Sequence, residues 1–377
     1  MNHVEDLFGQ FFDRIKEEEK NMQTANLMVV GKTGVGKSTL INSVFREDLA
    51  DTGIGTPVTQ HLRRITKSGV PLTIYDTKGL ELDREIQQVI EREILGEIDR
   101  LIRMNDKENF IHMIWYCINS ASRRIEDFEI EWIRAFSERI PVIVVLTQSF
   151  GKDFKILEKY IQDLNLPVKG VRSVLARDLE ISDEFVLPAF GLKELVDMTF
   201  DCLPEAAHAA FINAQKVNIE RKLESANRAI FPFVTAAFAE GFNPLPFADA
   251  ALLVPTQLGM LARLTVMFGI PINKSFLTAL LSGVLGTGGA TAIGRTIVAS
   301  IFKFLPGVGT LAGGAISGTT AAIITAALGL SYNQVMVAVA RRIYAGKVVT
   351  EKEMIELMKK SFSEQLKKGK DILKKKP

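Results

Sequence analysis

The stretch that decides the fold reads MVVGKTGVGKSTLINSVF, residues 28–45. Apolar residues up to Val30 predict a buried strand, residues 31–38 predict a glycine-rich loop, and residues 39–45 continue with helical spacing. The pattern G-x-x-x-x-G-K-[ST] is typical of a loop that holds phosphates, because glycines let backbone N–H groups turn toward phosphate oxygens. The sequence therefore predicts a nucleotide-binding phosphate loop.

Two side chains of this loop have specific expected roles. Lys37 is expected to neutralise the β- and γ-phosphates, and the Ser38 hydroxyl is expected to ligate Mg²⁺. The predicted nucleotide-binding positions are Gly31, Lys32, Thr33, Gly34, Val35, Gly36, Lys37, Ser38 and Thr39.

Length and composition favour two domains in a reducing compartment. A chain of 377 residues can bury two cores. The two cysteines, Cys117 and Cys202, are too few for a disulfide framework and match no metal spacing. The first 20 residues lack the regions of a signal peptide and show the spacing of an amphipathic helix, which is expected to pack on the first domain.

A second motif follows where a predicted strand ends in D-T-K-G, residues 76–79. Asp76 is expected to hold the Mg²⁺ shell through water, and the Gly79 N–H to meet the γ-phosphate. The polar loop at residues 50–60 is expected to supply a threonine to the metal. Thr59 and Thr56 are the candidates, and Thr59 is preferred because it lies closer to the strand that must position it.

After this motif, predicted helices and strands alternate as far as residue 202. The alternation indicates an α/β fold: a doubly wound, mostly parallel sheet of the P-loop type with one antiparallel strand. Ligands of such sheets bind at the carboxyl ends of the strands, which is where the phosphate loop, Asp76 and Thr147 fall.

The run GKTGVGKSTLIN, followed by a threonine-bearing loop and DTKG, resembles the translation-factor-related class of GTPases, which includes Era. The septin, chloroplast-import and immunity-related branches are the most similar, and the resemblance covers about the first 200 residues. It implies GTP and Mg²⁺ as ligands, with Ser38, Thr59 and Asp76 at the metal. It also implies that Lys37, Thr59 and Gly79 serve catalysis.

The sequence departs from this class at the base-reading motif. Residues 147–150 read T-Q-S-F, where the class has N/T-K-x-D with an aspartate that accepts both guanine N–H groups. Thr147, Gln148 and Ala176 remain the predicted base contacts, and Asp153 is a candidate substitute for the aspartate. The choice between guanine and adenine stays open.

A second departure is Leu80, which follows the D-x-x-G glycine. An aliphatic side chain cannot orient water, so slow intrinsic hydrolysis is expected. A nucleotide-dependent homodimer would complete the site, and Arg123 and Arg124 are candidates to reach across its seam. The alternative is that both arginines are solvated surface charges.

The composition changes after Pro204, where a polar helix over residues 205–227 precedes a series of apolar segments. No charged residue occurs between Lys274 and Arg295 or within residues 304–340. The second stretch is longer than a bilayer span requires, and its G-x-x-x-G pairs are typical of packed membrane helices. Glycine and proline breaks equally fit buried helices of a soluble bundle. Of these two interpretations of the apolar segments, contact with a membrane is preferred over a soluble bundle.

Residues 243–272 and the glycine-rich segments after them resemble a hydrophobic helical domain of unknown function found behind GTPase domains in bacteria and plastids, which implies membrane association. The predicted domains are residues 1–204 and 205–377. From Arg341 onward, twelve Lys and Arg side chains stand against five Asp and Glu. This basic tail favours an anionic partner such as lipid, with a solvated helix face as the alternative. Nucleic acid or ribosome binding has no other support in the sequence.

These features predict a GTP-binding protein that hydrolyses GTP slowly with Mg²⁺. Its nucleotide state would be coupled to membrane association or self-assembly at the cytoplasmic face of a membrane. Two alternatives remain, namely a non-catalytic scaffold with a structural nucleotide and an ATPase.

Overall fold

The computed structural model describes residues 2–46, 48–77, 84–106, 108–241, 248–277 and 318–374. It divides the chain into two compact units. The sheet unit is Met22–Asn218, and the helical unit combines Met1–Asn21 with Ile219–Pro377.

The sheet unit is built on a seven-stranded sheet with the order β2-β3-β4-β1-β5-β6-β7. The strands are β1 Ala25–Val30, β2 Ile54–Pro57, β3 Leu62–Lys67, β4 Val70–Thr77, β5 Met113–Asn119, β6 Val142–Thr147 and β7 Gly170–Ser173. Among the seven strands of this sheet, β3 alone runs antiparallel to its neighbours. The predicted mostly parallel sheet with one antiparallel strand is confirmed.

Helices cover both faces of this sheet. They are α2 Lys37–Val44, α3 Leu49–Thr52, α4 Arg84–Arg103, α5 Asp127–Ser137, α6 Asp153–Asp163, α7 Leu192–Cys202 and α8 Glu205–Ala214. On one face, Ile94 of α4 and Trp132 of α5 join the apolar core. On the other face, Trp115 of β5 stacks on Phe45 and donates a hydrogen bond to Thr199 of α7. The central strands are buried on both sides, which explains their continuous apolar runs.

Four small elements were not predicted. Helix α3 overlaps the start of the loop expected at residues 50–60, strand β2 falls inside it, and β8 Leu179–Ser182 pairs with β9 Phe185–Leu187 as a separate hairpin. All four residues of β2 are exposed, so no apolar periodicity marks the strand in the sequence.

The helix predicted over residues 205–227 is broken into α8 and α9 Ile219–Ala229. Gln215 is extended and pairs with Phe45, and the neighbouring Lys216 N–H donates to the Val44 carbonyl at 2.9 Å. Because this pairing ties α8 to the chain after α2, the sheet unit extends to Asn218, beyond the predicted boundary at 204.

The helical unit consists of α1 Asn2–Asn21, α9, α10 Phe231–Glu240, α11 Ala248–Phe268, α12 Gly318–Tyr344 and α13 Glu351–Lys374. Helix α1, which was expected in the first domain, belongs to the helical unit and packs against α11, with Phe11 fully buried. Helix α12 contacts α9, α10, α11 and α13. Polar pairs cross the buried α11–α12 contact, including Gln257 with Thr325 at 3.2 Å.

Helix α12 is the one helix among the described residues that is long and apolar enough to cross a membrane. Of its most apolar window, 67% is buried against its neighbours, as in the core helix of a bundle. The remaining apolar residues, 278–317, lie outside the described residues.

The basic tail forms α13. Its apolar residues recur every four positions and are buried on the side that packs against α12, and they are Met354, Met358, Phe362 and Leu366. Exposed lysines alternate with them, at Lys352, Lys359, Lys360, Lys367 and Lys368. The described part of the tail is therefore an amphipathic helix.

Candidate nucleotide-binding site

The carboxyl ends of four strands bring the predicted site residues to one edge of the sheet. Strand β1 ends immediately before the phosphate loop, Val29 pairs with Asp76 of β4, and Val30 pairs with Tyr116 of β5. Strand β6 ends at Thr147, which pairs with Asn119. In a sheet of this type the edge is the usual ligand position.

Two glycines shape the phosphate loop, residues 31–36, and the start of α2. Gly31 has φ +150, and an added Cβ there would collide with the Cys117 carbonyl oxygen of β5. Gly36 has φ +97 and forms the N-cap of α2 in the left-handed region. Both positions need glycine because a side chain would strain the backbone or push the loop away from β5.

The Lys37 ammonium group lies across this loop. Its Nζ donates to the Gly31 carbonyl at 2.6 Å and to the Lys32 carbonyl at 3.0 Å. The first turn of α2, all of whose residues are described, carries no acidic side chain and no side-chain cap. N–H groups at a helix start have no intrahelical acceptor and favour an anion. The loop, Lys37 and the helix start therefore fit a phosphate chain.

The Lys32 side chain is directed elsewhere. Its Nζ lies 5.0 Å from the centre of the Phe128 ring and 3.8 and 4.0 Å from the carboxylates of Glu126 and Glu129. Burial raises the pKa of Glu129, and the hydrogen bond from the Glu126 N–H and the charge of Lys32 oppose this shift. The charge of Lys32 thus anchors the loop to the start of α5.

The remaining loop residues differ in exposure. Thr33, Gly34 and Ser38 are exposed, Thr39 is partly buried, and Val35 is buried. The Val35 carbonyl lies 2.5 Å from the Thr147 hydroxyl, which is also 3.1 Å from the Ile118 carbonyl. Thr147 therefore joins the loop to the ends of β5 and β6.

Ser38 and Asp76 provide the oxygens that suit a hard divalent cation. Ser38 presents an exposed hydroxyl, and Asp76 stands near the end of β4, where Arg63 Nη2 donates to its Oδ2 at 3.2 Å. Mg²⁺ takes one or two protein oxygens together with phosphate and water, so this donor set fits it. Among the described residues, no group of three or more His, Cys, Asp or Glu side chains is arranged so that it could hold a metal ion. Gly79 and Leu80 lie outside them.

Thr59 occupies the turn between β2 and β3. Its N–H donates to the Leu62 carbonyl and its hydroxyl oxygen accepts from the Leu62 N–H, both at 3.1 Å. Among the described residues, its hydrogen-bonding neighbours lie in this turn and on α4, at Glu93. The alternative Thr56 is exposed on β2, opposite Arg64. The described contacts of these two threonines do not include the phosphate loop.

Gln148 braces the loop from the end of β6. It has φ +52, its side-chain amide donates to the Gly34 carbonyl at 3.1 Å, and its own carbonyl accepts from the Ser120 hydroxyl at 2.9 Å. The Ser149 N–H donates to the Val174 carbonyl, which brings the segment before Ala176 to the same place. Thr147 and Gln148 are therefore adjacent at the end of β6, and the chain two residues before Ala176 is hydrogen-bonded to the residue that follows them.

The arginines predicted to lie at a dimer interface form ion pairs with carboxylates on the surface. Arg123 Nη2 lies 2.5 Å from Asp153 Oδ2, and both side chains are exposed. Arg124 Nε lies 2.9 Å from Glu126 Oε1. Asp153, the candidate substitute for the base-reading aspartate, thus forms an ion pair with Arg123, which was expected to reach across a dimer interface.

One protein family and several curated proteins match parts of this chain. Residues 26–148 match the family of 50S ribosome-binding GTPases. Septin-4 of Rattus norvegicus is 29% identical over 145 residues, which are 33% of this chain and 32% of Septin-4. Septin-1 of Bos taurus is 31% identical over 166 residues, or 38% of this chain and 44% of Septin-1. The chain thus spans about a third to under half of these curated relatives.

Among solved structures, a probable GTP-binding protein engB covers 47% of this chain and 98% of its own, with 17% identity and a TM-score of 0.32. The family match covers β1, the phosphate loop, β4, β5 and β6 as far as Gln148. Residues 26–148 therefore match a GTPase family, lie in a sheet of the P-loop fold and are similar in sequence to part of the septins.

Proposed function

We propose that this protein binds GTP with Mg²⁺, hydrolyses it slowly and uses the nucleotide state as a switch. The observation that carries the proposal is the phosphate loop, where the Lys37 ammonium group is held by the Gly31 and Lys32 carbonyls beside an uncapped helix start. GTP as the nucleotide is supported by the GTPase family match over residues 26–148.

The residues of the site divide the work of phosphoryl transfer. Lys37 and the N–H groups at the start of α2 bind the phosphates and balance their charge. Ser38 and Asp76 hold Mg²⁺, which supplies further charge neutralisation between the phosphates when it is bound. Thr147 and Gln148 keep the loop in place through Val35 and Gly34. Slow turnover follows from Leu80, because an aliphatic side chain cannot orient the attacking water.

An ATPase is a second candidate because of the base-reading edge. Phe150 stands where the class carries its guanine-reading aspartate, and it is 46% exposed. Asp153 is ion-paired with Arg123. Competition of ATP and of GDP against a labelled GTP analogue distinguishes the two candidates. An ATP affinity equal to or higher than that of GTP would favour the ATPase.

We further propose that the nucleotide state controls self-assembly or attachment to the cytoplasmic face of a membrane. Partial similarity to septins supports a nucleotide-dependent homodimer. The exposed lysines of α13 support contact with anionic lipid, since its apolar face is already covered by α12. Flotation with anionic and neutral vesicles tests this, and salt-insensitive flotation with both would contradict an electrostatic contact.

The central experiment compares two lysines of the same loop. Lys37→Ala is expected to lower affinity for a fluorescent GTP analogue by at least about 100-fold. The reason is loss of the contact between the partly buried Lys37 ammonium group and the phosphates. Lys32→Ala is the matched control with a much smaller effect, since its ammonium group faces Glu126 and Glu129. Full affinity in Lys37→Ala would overturn the proposal.

Single-turnover hydrolysis then separates the switch from a non-catalytic scaffold. If the protein is a switch, bound GTP is converted to GDP in a single slow phase. A scaffold with a structural nucleotide keeps the triphosphate intact over hours.

A further inference from the structure

The Glu93 carboxylate on α4 holds the turn between β2 and β3. Its Oε1 accepts from the His61 N–H at 3.1 Å, and its Oε2 lies 2.9 Å from His61 Nδ1, which donates to it. The Thr59 hydroxyl is a third hydrogen-bonding neighbour of the same carboxylate. The side chains of His61 and Glu93 are only 15% and 21% exposed, so water screens these contacts incompletely.

Thr59 is held on both sides in this arrangement. Its N–H and its hydroxyl oxygen are both paired with Leu62, and His61 in the same turn is held by Glu93. A hydroxyl held in this turn cannot at the same time reach a metal ion elsewhere. If Thr59 is to reach Mg²⁺, the contacts with Glu93 and the turn at Leu62 must open.

An ionised Glu93 carboxylate accepts both contacts from His61, and hydrogen bonds to a charged acceptor are stronger than those to a neutral one.

We infer that Glu93 is a positioning residue that latches the Thr59 turn away from the metal and so disfavours the triphosphate-bound state relative to the diphosphate-bound state. The inference rests on the proposed function, because it assigns Thr59 to Mg²⁺ only when the γ-phosphate is present. A contact made in one state alone shifts the equilibrium by its own free energy. The contacts of Glu93 with this turn thus affect the difference between the binding free energies of GTP and GDP.

The test uses Glu93→Gln in the full chain, a substitution that keeps the shape and removes the charge. We expect the affinity for a non-hydrolysable GTP analogue, divided by the affinity for GDP, to rise about fivefold. A change of this size is typical when a partly exposed hydrogen bond to a charged group is lost. His61→Ala removes only the ring contact and should change the ratio in the same direction by a smaller factor.

Glu97→Gln is the matched control. Glu97 lies one turn further along α4 and accepts two hydrogen bonds of 2.7 Å from Arg100, not from the turn. The affinity ratio of this variant should equal that of the wild type.

Hydrogen–deuterium exchange gives a second readout that does not depend on catalysis. Glu93→Gln should speed exchange of the peptide holding residues 59–62 in nucleotide-free protein, while the phosphate-loop peptide stays unchanged. An unchanged affinity ratio, or an equal change for both nucleotides, would overturn the latch. A wild type that binds neither nucleotide would instead overturn the proposed function, and turn exchange would still report whether Glu93 holds the turn.

Discussion

Arg63 and Asp76 face each other across β3 and β4, with Arg63 Nη2 at 3.2 Å from Asp76 Oδ2. The stem of the arginine also covers Gly55 of β2, where an added Cβ would lie 2.8 Å from Arg63 Cδ. One side chain thus links the exposed edge strand to the carboxylate that we assign to the Mg²⁺ shell.

A cation beside Asp76 should compete with Mg²⁺. Arg63→Gln is expected to lower the Mg²⁺ concentration needed for half-maximal retention of a fluorescent nucleotide by about fivefold, which corresponds to a partly exposed ion pair worth ~1 kcal/mol. Arg64→Gln on the same strand is the control, since its side chain lies by Tyr75. A higher Mg²⁺ requirement in Arg63→Gln would show that the arginine supports the metal site.

Gly31 is expected to tolerate no side chain. Gly31→Ala places a Cβ against the Cys117 carbonyl oxygen at a positive φ, so we expect a loss of ~1–3 kcal/mol in the free energy of unfolding together with loss of nucleotide binding. Gly69→Ala is the control, because its φ is +76 with open space around the added Cβ. That variant should lose about 1 kcal/mol and retain nucleotide binding. Denaturant unfolding and nucleotide titration measure both effects.

Phe150 is expected to leave the 2-amino group of guanine unread. Wild-type protein should then bind GTP and ITP with affinities within about threefold, because the Phe150 side chain offers no acceptor to the group that ITP lacks. Phe150→Asp should raise the preference for GTP to about tenfold or more. Asp153→Asn, which removes the partner of Arg123, should leave the ratio unchanged. A strong GTP preference in the wild type would show that another group reads the base.

Hydrolysis per monomer should rise with protein concentration. The expectation follows from Leu80, which leaves one copy without a water-orienting group. Initial rates measured over a hundredfold range of concentration test it, with Arg123→Ala expected to flatten the increase. A fast specific activity that does not depend on concentration would remove the dimer from the mechanism.

The sheet and the phosphate loop were predictable because local sequence dictates them. The glycines at 31 and 36 adopt conformations that few other residues reach, and buried parallel strands read as unbroken apolar runs. Because such runs alternate with segments of helical spacing, the sequence also predicts a sheet with helices on both faces.

Other features depend on partners far away in the sequence. The spacing at residues 205–227 is helical throughout, but pairing of Gln215 with Phe45 breaks the helix. Amphipathic spacing in α1 indicates that the helix packs, not what it packs on. Arg63 meets Asp76 because the register of β3 and β4 places them opposite each other, and Glu93 meets His61 because α4 packs beside the turn before β3. No local sequence pattern reports either contact.

Because α1 belongs with α9 to α13, the chain enters and leaves the sheet unit from the same helical unit. Residues 22–218 are contiguous and can fold once they have been synthesised. Helix α1, made first, has its partner α11 more than 200 residues later. The apolar side of α1 therefore has no packing partner until α11 has been synthesised, and an exposed apolar surface of this kind favours aggregation of the unfinished chain.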